Sequence, residues 1–372
     1  IAFLDHPLYA DNIGTVSVVD LSGHRKALTS VFQSVAGLAW SAGGDEIWFT
    51  RLSDESEKSL RAVDDSGHER LLLGGLADMT LFDVSREGRL LLGRETSTRY
   101  VEAFAPSLSR PVDLSLHLNA MTRNIAAHPT AITITDQDVP GYAVYLRPLD
   151  GSPPVRLGEG DSYGLSPDGR WALAVTPELP RRVLLHPTGA GESRELPNPE
   201  KLSFDFLRWM PDGRILMFAV APGRGHRGYV LDPRAGPPRP FTDEGVVAVR
   251  YWAMPVSPDS TRVVARDPEG RLNAYRVDGG PPEPLPGISP LDLPLEWSED
   301  GRALFVARLG ELPWRIRRHD LETGRETPVT DVRPTQAAGL RLSWLFLAPD
   351  GRSWAQAYSC LLTDLYVVTG IR

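Results

Sequence analysis

The chain has 372 residues, 41% of them apolar and 24% charged, with a net charge of −8 at pH 7. No apolar run approaches the ~18 residues of a helical membrane span, and the basic residues are scattered rather than gathered into a face for nucleic acid. Cys360 is the only cysteine, which excludes an internal disulfide and a thiolate metal cluster and leaves the compartment open.

The first segment, Ile1-Ala-Phe-Leu4, reads as a strand, and no initiating methionine or signal peptide precedes it. The sequence is therefore expected to be a C-terminal fragment of a longer chain. Ile1 to Thr29 supplies three strands that read as the second, third and fourth of a four-stranded unit. From there a pattern recurs: a short apolar stretch, a tight polar turn, and a second apolar stretch. The turn position is held in order by Ser41, Ser85, His128, Ser166, Met210, Ser257, Ser298 and Ala348. The clearest copies are Leu165-Ser-Pro-Asp-Gly-Arg170 and Trp209-Met-Pro-Asp-Gly-Arg214. Spacings of ~40–45 residues built only of short strands are those of propeller blades.

One unit, Phe204 to Thr242, displays the whole pattern. Phe206-Leu-Arg-Trp-Met210 leads into Pro211-Asp-Gly213, then Ile215 to Val220, a loop, Tyr229-Val-Leu231, a turn and Pro240-Phe-Thr242. That is a four-stranded antiparallel meander. Glycine adopts positive φ cheaply, and the preceding aspartate bonds backbone amides further on. Asp168, Asp212, Asp300 and Asp350 therefore read as turn caps rather than as a ring of catalytic or metal-binding carboxylates. A second hairpin signal recurs at Asp20-Leu-Ser-Gly23, Asp64-Asp-Ser-Gly67, Leu149-Asp-Gly151 and Val277-Asp-Gly-Gly280. Trp40, Trp209 and Trp297 precede their turns and are expected to wedge between blades.

The last piece supplies Leu345-Phe-Leu347, Trp354-Ala-Gln-Ala-Tyr358 and Leu365-Tyr-Val-Val368 without a fourth strand. A closing blade that mixes strands from both termini would give eight blades; seven is the alternative. The expected architecture is an all-β propeller of four-stranded antiparallel blades, with residues 1–372 as a single domain and almost no helix.

The turns at Ser166, Met210, Ser257, Ser298 and Ala348 resemble the WD40-like (PD40) repeats of the TolB propeller family, whose pattern runs apolar strand, Ser-Pro-Asp-Gly-Lys/Arg, strand. A closer resemblance is to the propeller that follows the kinase domain of eukaryotic-like serine/threonine kinases in acidobacteria and similar bacteria. It is carried by Ile1-Ala-Phe-Leu-Asp-His-Pro7, Ser17-Val-Val-Asp20, Gly37-Leu-Ala-Trp-Ser41, Tyr142-Ala-Val-Tyr145 and Asp364-Leu-Tyr-Val-Val-Thr-Gly370. These resemblances imply a propeller that binds a protein or small ligand at one face, as the sensory or scaffolding end of a kinase. A periplasmic TolB-like envelope component is one alternative. A metal-using lactonase or lyase, or the gating domain of a peptidase, is another. The compartment stays undetermined, an extracytoplasmic setting with a membrane-anchored parent being favoured over others, and the chain is expected to be a monomer that neither binds nucleic acid nor inserts into a membrane.

Motifs for chemistry fail on context. Gly223-Arg-Gly-His-Arg-Gly228 fits G-x-G-x-x-G but lies between two strands, where the dinucleotide motif needs a helix. It reads as a hairpin loop whose Arg224, His226 and Arg227 could meet an anion. Arg318-His-Asp-Leu321 resembles a kinase catalytic loop, but Arg325 stands where asparagine is required. Asp136-Gln-Asp138 reads as a solvated loop. The histidines are scattered without a His-x-x-x-His pair, and no G-x-S-x-G occurs. No catalytic, cofactor or metal residue is assigned. Binding falls to the long loops Arg51 to Ser59, Pro197 to Ser203, Leu309 to Trp314 and Asp331 to Gly339. Arg51, Arg224, Arg227 and Trp314 are the candidate contacts, arginine and tryptophan being favoured at binding hot spots.

Overall fold

The computed structural model describes residues 1–6, 13–32, 34–52, 58–76, 79–116, 119–125, 129–178, 180–250, 253–285, 287–289, 291–336 and 338–371. His117, the His128 repeat position and the centre of the Arg51–Ser59 loop lie outside the described residues. The described residues form strands and turns and no helix. Among the described residues there are eight antiparallel sheets, six of four strands, one of three and one of five. This is the all-β propeller of four-stranded antiparallel blades that the repeat predicts.

The contacts gather the chain into two compact units, Ile1–Ser97 with Leu361–Arg372, and Thr98–Cys360. In the first unit β1 (Ala2–Asp5), β2 (Thr15–Val19) and β3 (Arg25–Ala27) form one sheet. A second sheet comprises β4 (Val35–Trp40), β5 (Glu46–Leu52), β6 (Lys58–Asp64) and β7 (Glu69–Leu73). Val16, Phe32, Val35 and Phe49 pack between these two sheets, and the rings of Phe32 and Phe49 stack at 5.7 Å. Then β8 (Met79–Val84) pairs with the start of β9 (Leu90–Phe104).

In the second unit the end of β9 pairs with β10 (Val112–Asp113). Five four-stranded sheets follow. They are β11 (Ala120–Met121), β12 (Ala131–Asp136), β13 (Ala143–Pro148) and β14 (Val155–Glu159); β15 (Asp161–Leu165), β16 (Trp171–Val175), β17 (Val183–Pro187) and β18 (Arg194–Leu196); β19 (Ser203–Trp209), β20 (Ile215–Val220), β21 (His226–Leu231) and β22 (Arg239–Pro240); β23 (Val247–Ala248), β24 (Arg262–Arg266), β25 (Leu272–Arg276) and β26 (Glu283–Pro284); and β27 (Asp292–Trp297), β28 (Ala303–Arg308), β29 (Trp314–Asp320) and β30 (Glu326–Val332). The sixth sheet of this unit is the order β10-β9-β32-β31, formed with β31 (Leu340–Leu347) and β32 (Trp354–Val368).

These six sheets close a circuit. Leu345, Leu347 and Trp354 share a core with Leu295, Trp297 and Phe305 of the β27–β30 sheet. On the other side Trp344, Phe346 and Ala355 pack against Ile132 and Ile134. First strands β15 and β19, and β27 and β31, are direct neighbours, so they line the inside of the ring. There Arg208 of β19 donates to Glu296 of β27 and, at 3.0 Å, to Met254 O of the intervening sheet. Burial pushes the Glu296 carboxyl up, and the guanidinium opposes that shift.

Three expectations need correction. The closing blade does not mix the two termini: β1, β2 and β3 keep their own three-stranded sheet, and the C-terminal strands pair with β9. Trp354–Tyr358 and Leu365–Val368 are not separate strands but one 15-residue strand, matched by the 15-residue β9. The reason is local, since after Gly93 neither strand contains the glycine or proline that would end it. Trp209 and Trp297 are 6% and 1% exposed, as wedges should be, but Trp40 is 46% exposed.

Candidate functional site

The first strands of the second unit begin, and the β16–β17 and β20–β21 connections turn, at one face of its ring. A cleft of ≈ 500 Å³ opens there, lined by Arg123, Asp161, Tyr163, Arg181, Asp205 and His226 over the rings of Phe204 and Phe218. Asp161 opens β15 and accepts both Nε and Nη2 of Arg123, at 3.2 and 2.7 Å. The Thr135 hydroxyl adds a third bond at 2.9 Å. This fork holds the Arg123 guanidinium 5.2 Å from the centre of the Tyr163 ring, and Tyr163 in turn meets Phe206 edge-on at 5.1 Å. Burial pushes the Tyr163 hydroxyl above its ordinary value, so it is a neutral donor at physiological pH.

His226 begins β21, and its Nδ1 lies 2.7 Å from Asp205 Oδ2. Arg181 donates to Phe204 O at 3.3 Å and has no carboxylate of the described residues within ion-pair distance. The cleft thus has an aromatic floor, the Arg123–Asp161 ion pair, the Asp205 carboxylate beside His226, and one guanidinium, that of Arg181, without a carboxylate at ion-pair distance among the described residues. Chemically it suits an anionic group held by Arg181 with an apolar portion against the rings.

Each of the four residues singled out from sequence is held by its own local neighbours. Arg51, in β5 of the first unit, lies over the Phe32 ring at 4.7 Å. Arg224 sits 3.6 Å from Glu244, and Arg227 donates Nε to Thr242 O. The basic hairpin loop is therefore largely compensated by its own neighbours, although its His226 does enter the cleft. Trp314 starts β29 and is 4% exposed within the core of its unit, so it offers packing rather than a ring face. Asp136 ends β12 fully buried rather than in a solvated loop. Asp320 ends β29 and caps the next turn through Thr323, as its place before Gly324 suggests. His186 is buried between Ser193 and Glu159 O.

Arg123, Asp161, Tyr163, Arg181 and Asp205 were not singled out by sequence reasoning. A signal existed: an aspartate opens the first strand at both Asp161 and Asp292, and each takes an arginine, Arg123 or Arg317. Among the described residues no group of three His, Cys, Asp or Glu is gathered closely enough to hold a metal ion.

The chain matches no protein-family model and no curated protein. It is similar to the solved structure of TolB from Acinetobacter baumannii, at 14% identity and a TM-score of 0.44 over 82% of this chain and 79% of that one. An oligogalacturonate lyase from Vibrio parahaemolyticus gives 16% identity and a TM-score of 0.45 over 68% of this chain and 76% of that one. A puromycin-hydrolysing peptidase from Mycobacterium tuberculosis gives 15% and 0.44; there 84% of this chain is covered, and it spans 58% of the peptidase. At these identities and TM-scores the fold rests on the strand pairing itself.

Proposed function

We propose that this chain is a noncatalytic propeller module that binds a protein segment or small molecule through an anionic group in the ring-face cleft. The observation that carries the reading is Arg181. Arg123 is paired with Asp161, and Asp205 is within hydrogen-bond distance of His226, whereas Arg181 has only the Phe204 carbonyl and no carboxylate of the described residues within ion-pair distance. An uncompensated guanidinium beside an aromatic floor is suited to a carboxylate, which it bonds in a fork. The resemblance of the Ile1–Pro7, Gly37–Ser41 and Asp364–Gly370 segments to propellers of bacterial serine/threonine kinases supports a sensory role beside such a kinase. The gene sequence upstream of Ile1 tests that part: a kinase domain is expected there, and a small envelope-type domain would reject it.

The cleft itself is tested by titration calorimetry with citrate and with hydrophobic peptides bearing a free or an amidated C-terminus. Binding of carboxylate probes is expected to weaken about tenfold or more in Arg181→Gln, the loss of roughly one charge-assisted hydrogen bond. The melting temperature should hold, because the side chain is exposed. Carboxylate affinity unchanged by the substitution would reject the reading.

A further inference from the structure

We infer that the ring-face cleft selects a zwitterion: a free α-amino acid with an apolar side chain, its carboxylate on Arg181 and its ammonium on Asp205. The carboxylate contact is that of the function proposed above, on which the inference rests; the ammonium contact is new.

The charges lining the cleft fall into three groups. Arg123 and Asp161 satisfy each other through two bonds, at 3.2 and 2.7 Å, and are mostly shielded from water, with side-chain exposures of 13% and 14%. Arg181 meets a backbone carbonyl at 3.3 Å, a long bond that a carboxylate improves on. Asp205 meets the His226 ring, and an imidazole offsets a carboxylate only when it is protonated. The exposed groups at neutral pH are therefore a guanidinium and a carboxylate that do not pair with each other. A simple anion drawn to Arg181 is repelled by Asp205, and a simple cation meets the reverse. A molecule carrying both charges satisfies both.

The spacing sets how close the two charges of the ligand must be. Arg181 bonds the carbonyl of Phe204, the residue just before Asp205. Bond lengths then limit the gap between Arg181 Nη1 and the Asp205 carboxylate to roughly 10 Å. An α-amino acid carries its ammonium and carboxylate on one carbon, and with a hydrogen bond at each end it bridges up to about 9 Å. The termini of an extended tripeptide already stand roughly 10 Å apart before any hydrogen bond is added. The mutual pairing of Arg123 and Asp161 leaves no partner for a charged side chain. What remains for the side chain is apolar: Val247 and Ala248, both half-buried, line the cleft with the rings of Phe204 and Phe218. Tyr163, 5% exposed, lines it too. Burial is the largest influence on its hydroxyl, followed by the charges of Arg123, Asp161, Arg181 and Asp205, which sets this neutral donor among the groups that meet the ligand.

The test is titration calorimetry at low ionic strength with leucine, with 4-methylpentanoate, which lacks the ammonium, and with 3-methylbutylamine, which lacks the carboxylate. Leucine is expected to bind saturably, about tenfold or more tighter than either half. Asp205→Asn, at an exposed position, should weaken leucine about tenfold and tighten 4-methylpentanoate, because the same carboxylate attracts the ammonium and repels the anion. A merely structural role for Asp205 would move both ligands in one direction. No saturable binding of leucine, leucine bound no more tightly than 4-methylpentanoate, or leucine indifferent to Asp205→Asn would each overturn the inference. An affinity for 4-methylpentanoate that falls in Arg181→Gln would in those cases leave the carboxylate reading standing. Affinities for leucine and 4-methylpentanoate that both survive Arg181→Gln would overturn the two together.

Discussion

Gly169 and Gly351 occupy the same turn position with nearly the same backbone, φ 70° and 67°, yet they answer to different physics. A Cβ on Gly169 would meet nothing within 4 Å, whereas one on Gly351 would lie 2.4 Å from Cζ of the buried Phe305. Gly169→Val should therefore lose only the left-handed backbone penalty, about 1–2 kcal/mol. Gly351→Ala should lose that and a further ~1–3 kcal/mol of overpacking. Urea unfolding midpoints of the two variants check the order, and an equal loss would mean the Phe305 ring gives way freely. The need for glycine was legible in the sequence because Asp-Gly turns have one favoured backbone. The crowding was not, because Phe305 comes from a neighbouring sheet and no local pattern marks it. The same limit explains Trp40, which shares its repeat position with Trp209 and Trp297 but lacks a covering neighbour.

The hairpin between first and second strands is the element that the sequence specifies best, and its hydrogen bonds explain why serine and aspartate recur there. In three copies the serine hydroxyl donates to the aspartate two residues on, at 2.6, 2.5 and 2.6 Å. The same oxygen accepts the first amide of the second strand, from Trp171, Arg262 and Ala303. The serine bond, followed by backbone amides, holds Asp168 and Asp300 below the usual carboxylate range, and the serine bond leads likewise at Asp259. A carboxyl whose folded value is depressed stabilises the fold fully above its unfolded value and loses that contribution as pH falls through the folded value. Stability should therefore decline as the pH drops below about 4. Substituting Asp168→Asn should lower the urea midpoint at neutral pH and flatten this acid limb; an unchanged slope would show that the turn carboxylates do not control it. Longer elements were less legible. Strands β9 and β32 exceed the repeat's usual strand length, and the missing glycine or proline was a subtler sign than the turns the repeat supplies.

Closure of the second unit depends on two distant stretches meeting in one sheet, and a single buried carboxylate marks the junction. Glu102 of β9 is 4% exposed. It accepts from Tyr358 Oη at 2.7 Å and Gln356 Nε2 at 2.8 Å, both on β32, and from the Thr335 amide at 3.3 Å. Burial and the nearby carboxylate push the Tyr358 hydroxyl far above its ordinary value, which keeps it a donor. Its ring also stacks on Tyr100 of β9 at 5.3 Å. Spacing alone could not pair residues 102 and 358, since each sits within an unremarkable apolar strand and the bond spans the whole ring sequence. Removing Glu102 would orphan two buried donors, so Glu102→Ala should cost about 2–4 kcal/mol. Tyr358→Phe removes one partner from a carboxylate that keeps others, and should cost about 1–2 kcal/mol. The two losses should not add, because Tyr358→Phe also abolishes one of the donors that Glu102→Ala leaves stranded. A double-mutant cycle by chemical denaturation is therefore expected to give a coupling of about 1 kcal/mol or more. Additive losses would mean that the two strands are held by their backbone ladder alone and that Glu102 contributes nothing specific to closing the ring.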